Sequence, residues 1–245
     1  MANVYQVLAD SVVMTGKAEL HAQATTELLF GEQVETIGRD DEEWIECRSL
    51  RDGYEGFVPA GELDHELTAP THFVSSLRTF AFAEPDYKSP PVRVLSFMSP
   101  VNIFMEENGY GLLMQGGWVP MQHLLPIDHI KSDIIEHARM FLGAPYLWGG
   151  RTSLGLDCSA LVQLCLMCAG IECPRDTKDQ AGSVGKAIKQ TDIQAGDLVY
   201  FNGHVGIMVD NEQLINATAR YMSVVIENLE DVVNAYKGIT AIRRV

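Results

Sequence analysis

Pro145-Tyr-Leu-Trp-Gly-Gly-Arg-Thr-Ser-Leu-Gly-Leu-Asp-Cys-Ser-Ala-Leu161 is the stretch from which the rest of the chain is read. A loop punctuated by Gly149, Gly150 and Gly155 runs into Asp157 and Cys158, and the apolar run Leu161, Val162, Leu164, Cys165, Leu166, Met167 follows. Positions 161, 162, 165 and 168 recur at helical spacing, and Gly170 supplies a stop. The spacing therefore predicts a buried helix with Cys158 in its first turn. A thiol there meets unpaired backbone N–H groups and the positive end of the helix dipole, which favours the thiolate. Cys158 is a candidate nucleophile.

A cysteine nucleophile needs a base to take its proton and an orienter to fix that base. Downstream, Asp197-Leu-Val-Tyr-Phe and His204-Val-Gly-Ile-Met-Val are two apolar runs split by Asn202-Gly203, a strong hairpin signal. His204 thus starts a strand directly after a tight turn. A second turn at Asp210-Asn211 leads into Leu214-Ile-Asn-Ala-Thr, and Ser223-Val-Val-Ile-Glu follows. With that turn, positions 204 and 216 fall near opposite each other, so that His204 and Asn216 share a face. Cysteine on a helix start, histidine on one strand and asparagine on the next is the order of papain-like peptidases. Ile130–Leu142 carries an amphipathic helical pattern ended by Gly143 and Pro145. Helices followed by an antiparallel meander make this half α+β.

The preceding half reads as short strands and turns. Val12-Val-Met, Gln33-Val-Glu-Thr-Ile, Trp44-Ile-Glu-Cys and Gly56-Phe-Val-Pro precede Ala69-Pro70. Arg93-Val-Leu-Ser-Phe, Val101-Asn-Ile-Phe-Met, Tyr110-Gly-Leu-Leu-Met and Gly117-Trp-Val-Pro follow it. Gly56-Phe-Val-Pro-Ala-Gly-Glu-Leu and Gly117-Trp-Val-Pro-Met-Gln-His-Leu are one ending used twice, which predicts two similar small β-barrels in tandem. The expected domains are 1–68, 69–127 and 128–245. The run Arg39-Asp-Asp-Glu-Glu reads as a solvated turn.

The 245 residues carry a formal net charge of −15, which argues against nucleic acid and against docking on anionic membranes or wall polymers. The N-terminal decapeptide lacks the basic and apolar regions of a signal peptide, and no apolar run approaches membrane-spanning length. Five cysteines, an odd number with several in apolar contexts, are no disulfide framework, so a reducing cytoplasm is the expected compartment. Cys165, Cys168 and Cys173 are read as core rather than metal ligands, and Cys47 as structural.

Pro145-Tyr-Leu-Trp-Gly-Gly, Leu156-Asp-Cys-Ser-Ala-Leu, Pro174-Arg-Asp-Thr, Gly196-Asp-Leu-Val-Tyr-Phe and His204-Val-Gly-Ile resemble, in order and spacing, the NlpC-type cysteine peptidases. The resemblance covers about 115 residues. It implies a papain-like α+β domain, and the two β-rich segments before it look like bacterial SH3-like domains. The whole layout resembles the γ-D-glutamyl-L-diamino acid endopeptidases, which trim peptidoglycan stem peptides with a free N-terminal L-alanine. The resemblance makes Cys158 the nucleophile, His204 the base and Asn216 the third member, where the family usually has histidine. It sets Tyr146 where the thiol or oxyanion is positioned. Asp157 and Ser159 fall where a subgroup holds the substrate ammonium. Tyr54 and either Glu27 or Glu32 are the candidates from the first barrel. Arg175 is read as structural or as a partner for a substrate carboxylate. No metal or organic cofactor is implied, and the partner is a small muropeptide. The expected role is recycling of wall peptides; the rivals are a lysin acting on intact wall and a binding protein without turnover.

Overall fold

The computed structural model describes residues 2–129 and 133–245. The chain divides into two compact units, Met1–His129 and Ile130–Val245.

The first unit is built from antiparallel strands. A seven-stranded sheet runs in the order Ala24–Leu29, Ser11–Thr15, Glu55–Pro59, Trp44–Ser49, Gln33–Asp40, Val4–Val7, Leu63–Asp64. Its inward-facing Val7, Met14, Leu28, Val34, Ile45, Cys47 and Val58 form one core. A five-stranded sheet (Pro91–Ser96, Arg78–Phe82, Trp118–Pro120, Tyr110–Leu113, Ile103–Glu107) and a three-stranded one (Pro100–Val101, His72–Val74, Leu124–Pro126) enclose a second core. The matched octapeptides adopt one conformation. Each ends a strand at a proline (Pro59, φ −59°; Pro120, φ −57°), makes one 3-10 turn and enters a short strand. Proline fixes the φ that the turn needs and gives up no ladder hydrogen bond at a strand end.

The expectation of closed barrels is corrected. Among the described residues no ladder joins the first and last strands of the seven-stranded sheet. Its last strand, Leu63–Asp64, is two residues long, too short to pair along the opposite edge. The two β-rich segments also share material. Phe30 belongs to the second core, with Leu8 packed against it, although both precede residue 69. The Arg93 guanidinium lies 4.5 Å from the centre of the Phe30 ring and pairs with Asp10, while Val94 N–H donates to Asp10.

The second unit carries a six-stranded antiparallel sheet in the order Lys186–Ala187, Ala241–Arg244, Leu198–Phe201, His204–Met208, Gln213–Thr218, Ser223–Asn228. Helix α1 (Ile134–Met140) is capped by Asp133, which accepts from the N–H groups of Ile135 and Glu136. Residues 130–132 of the expected helix lie outside the described residues. Helix α2 (Cys158–Cys168) is buried at every position but Met167, packs on α1 and on the central strands, and gives way to Gly170 at φ +70°. That fits a helix apolar all round. Helices α3 (Thr177–Ser183) and α4 (Leu229–Tyr236) complete the unit. Val232 of α4 sits in a core with Val199, Phe201, Met208 and Leu214.

Gly31 turns the chain at φ +80°, and a Cβ there would lie 2.0 Å from the carbonyl oxygen of Pro100. Neither the backbone conformation nor the space admits a side chain. Gly31→Ala is expected to lower stability by on the order of 2–4 kcal/mol, read as a drop in the denaturation midpoint.

Candidate active site

The site is assembled around the start of α2. Asp157, extended at φ −98° and ψ 177°, is the N-cap, and its Oδ1 accepts from Ala160 N–H at 2.9 Å. The same oxygen accepts from Ser159 Oγ at 3.1 Å and Arg175 Nη1 at 2.9 Å. Oδ2 accepts from Arg175 Nη2 at 2.6 Å and from Gly149 N–H at 2.9 Å. Arg175 Nη1 also donates to Ser159 Oγ at 2.7 Å. Both ions are buried, at 2% and 5% exposure.

Five donors surround a carboxylate that offers about four lone-pair positions, and Arg175 holds it in an ion pair in which Ser159 also takes part. Of the two readings of Arg175, this buried pairing favours the structural one.

The Cys158 thiol, 7% exposed, receives hydrogen bonds from Val205 N–H and the Thr177 hydroxyl. Burial pushes it up to about 11, with the Asp157 charge adding to the rise; the two donors and Arg175 pull the other way without offsetting it. The expected resting thiolate is therefore corrected to a neutral thiol. The helix end is positive, but burial and the charge of the carboxylate that caps it outweigh that effect.

His204 is buried, and its Nε2–H donates to Asn216 Oδ1 at 2.9 Å. The ladder pairs Ile207 with Ile215 and Met208 with Leu214. Carried along the strands, this register sets Asn216 opposite Gly206, so His204 and Asn216 are diagonal neighbours on one face rather than opposite. Gly206 makes the diagonal passable. A Cβ there would come within 3.2 Å of Asn216 Cβ and 2.4 Å of Leu214 Cδ1. The imidazole stacks on Tyr236 of α4 with centroids 4.3 Å apart and planes 3° from parallel. Burial pushes His204 down to about 4; the Asn216 hydrogen bond opposes this and the Arg220 charge adds to it.

Tyr146 is half-buried, and burial together with the neighbouring Cys158 and Asp157 raises it to about 12, so its hydroxyl stays a donor. The remaining candidates lie in the first unit. Glu32 is buried and paired with Arg51 Nε at 2.8 Å while accepting from Leu29 N–H, which corrects it to a structural ion. Glu27 accepts from Ser11 Oγ at 2.6 Å, and Tyr54 packs against the first core. Sequence reasoning missed Thr177, which stands in the quoted Pro174-Arg-Asp-Thr phrase, and Tyr236, for which no sequence signal exists.

A family model described as the NlpC/P60 family matches residues 143–243, and one for the bacterial dipeptidyl-peptidase Sh3 domain matches residues 17–63. A γ-D-glutamyl-L-lysine dipeptidyl-peptidase of Bacillus subtilis is 30% identical over 89% of this chain and 80% of its own. The chain belongs to the NlpC/P60 family of cysteine peptidases. Dipeptidyl-peptidase 6 of Lysinibacillus sphaericus is 23% identical over 92% of this chain and 91% of its own. A crystal structure of an NlpC/P60 family protein from Bacillus cereus has the same fold, with a TM-score of 0.84 and 19% identity over 99% of each chain. In this NlpC/P60 peptidase the α+β peptidase domain follows a β-rich region with an SH3-like domain.

Two outcomes follow from the geometry. Arg175→Met leaves the buried Asp157 charge uncompensated and is expected to cost about 3–5 kcal/mol, read by denaturant unfolding. Iodoacetamide alkylation of Cys158 is expected to accelerate about tenfold per unit from pH 7 to 9, tracking a neutral thiol; a rate already flat at pH 7 marks a resting thiolate.

Proposed function

We propose that this peptidase hydrolyses the γ-D-glutamyl–L-diamino acid bond of peptidoglycan-derived peptides that carry a free N-terminal L-alanine. The observation that carries the reading is His204 held by Asn216, with the next residue on its strand, Val205, donating to the Cys158 thiol, in a chain matched over most of its length to a γ-D-glutamyl-L-lysine dipeptidyl-peptidase.

A neutral imidazole takes the thiol proton as sulfur attacks the γ-glutamyl carbonyl, so the ion pair forms along the reaction rather than before it. With Nε2–H held by Asn216, the lone pair that accepts this proton is on Nδ1. The oxyanion is held by backbone N–H at the start of α2 with the Tyr146 hydroxyl. The protonated His204 gives its proton to the leaving amine, and water then cleaves the thioester with His204 as base.

The proposed acceptor of the substrate ammonium is Asp157, with Ser159 beside it at the start of α2. Recycling of released wall peptides in the cytoplasm is the proposed setting, supported by a net charge of −15 that disfavours anionic wall polymers.

The test is mass spectrometry of L-Ala-γ-D-Glu-L-Lys and its diaminopimelate analogue, each beside an N-acetylated twin. Cleavage of the free amines alone is expected, abolished by Cys158→Ala and weakened through KM by Ser159→Ala. Its kcat/KM should fall on the acid side with a midpoint near pH 4, where His204 takes up a proton and can no longer accept one from the thiol. Equal cleavage of the acetylated twins, or activity surviving Cys158→Ala, overturns the reading.

A further inference from the structure

The hydrogen bonds behind His204 continue past Asn216. Asn216 Nδ2 donates to Glu227 Oε2 at 3.1 Å and to the Val225 carbonyl at 3.5 Å. The other oxygen of Glu227, Oε1, accepts from Arg220 Nη2 at 2.9 Å. The ladder makes this contact possible, pairing Asn216 with Val225 and Leu214 with Glu227, which sets Asn216 and Glu227 on one face as diagonal neighbours. Asn216 is fully buried, and the Glu227 side chain is 7% exposed, so water competes little for these groups.

An asparagine amide has one accepting and one donating end of nearly equal shape, and only its partners decide which way it points. A carboxylate accepts and does not donate. Facing Glu227, Asn216 must present Nδ2, and Oδ1 is thereby turned to His204. An accepting oxygen at His204 Nε2 requires the proton on that nitrogen, leaving Nδ1 as the base. Reversing the amide would set two acceptors against each other at Glu227, and a donor against Nε2. The imidazole would then carry its proton on Nδ1, where it cannot take one from the thiol.

We infer that Glu227, held by Arg220, is a positioning residue that locks the Asn216 amide and through it the catalytic tautomer of His204. This rests on the reading of His204 as the base. Histidine is the usual third residue in the NlpC-type resemblance; asparagine at 216 brings the two-way ambiguity of an amide, and the carboxylate removes it.

Glu227→Gln tests the inference, because the single oxygen of the new amide would be claimed by the charged Arg220 donor. Its NH2 end then faces Asn216 and favours the reversed amide. The expected result is a kcat lower by about 10–100-fold with KM within about twofold, and a loss of the Nε2–H tautomer in 15N shifts of histidine-labelled protein. Asn216→Asp combined with Glu227→Gln should recover most of kcat and the Nε2–H signal, since a carboxylate at 216 accepts from both neighbours. A purely structural role for Glu227 predicts no such recovery. The inference is overturned if Glu227→Gln keeps the wild-type tautomer and kcat, or if the double variant is no better than the single one. Should the wild-type protein cleave no γ-D-glutamyl peptide, the functional reading fails, while the tautomer measurement still decides the role of Glu227. If Glu227→Gln does not fold, a folded double variant with the Nε2–H tautomer still supports the lock, and one with Nδ1–H overturns it.

Discussion

The buried ion pair between Asp157 and Arg175 is the constraint on which the peptidase domain depends. Three separate segments end at it: the glycine loop through Gly149 N–H, helix α2 through Ala160 N–H, and the segment leading into α3 through Arg175 itself. Gln180 of α3 reinforces the last of these by donating to the carbonyls of Ser159 and Pro174. Cys158 follows the capping aspartate and Thr177 lies two residues beyond the arginine, so one pair sets both the sulfur and a donor to it. Burying two charges is costly in desolvation, and here the cost is offset by a full complement of hydrogen bonds. The gain is in position, which catalysis needs more than it needs stability.

Burial sets the proton inventory of the resting site. The thiol is pushed up to about 11 and the imidazole down to about 4, both chiefly by burial. Between these limits the pair rests uncharged, and charge separates only as the thiol reacts. A neutral pair keeps a dry site affordable and keeps the cysteine unreactive toward adventitious electrophiles until substrate arrives.

Much of this was legible in the sequence, and the reasons for what was not are physical. The α2 start at Cys158, the Asn202-Gly203 hairpin and the strand holding Asn216 follow from local periodicity and turn chemistry, which act over a few residues. The repeated ending around Pro59 and Pro120 was legible for the same reason. The strands Val4–Val7, Ala24–Leu29 and Arg78–Phe82 escaped because none alternates polar with apolar residues: Val4–Val7 has one polar residue, and the polar residues of the other two, Thr25-Thr26-Glu27 and Arg78-Thr79, are consecutive. The contact between His204 and Asn216 was legible, but not the charge states around it. That Asp157 meets Arg175 eighteen residues away, or that Tyr236 stacks on His204, depends on tertiary packing that no spacing encodes. The thiolate expectation failed at the same point, since it counted the helix dipole and omitted burial and the neighbouring carboxylate.

The placement of Phe30 and Leu8 in the second β core bears on how such a chain can be rearranged over generations. A boundary drawn at Ala69-Pro70 looks like a natural seam for exchanging one small β module for another. The seam in space lies elsewhere, because cutting at residue 69 strips the second module of an aromatic plug and leaves that ring facing water on the first. Recombination that respects the linear boundary would therefore yield two damaged halves. The pair folds as one piece.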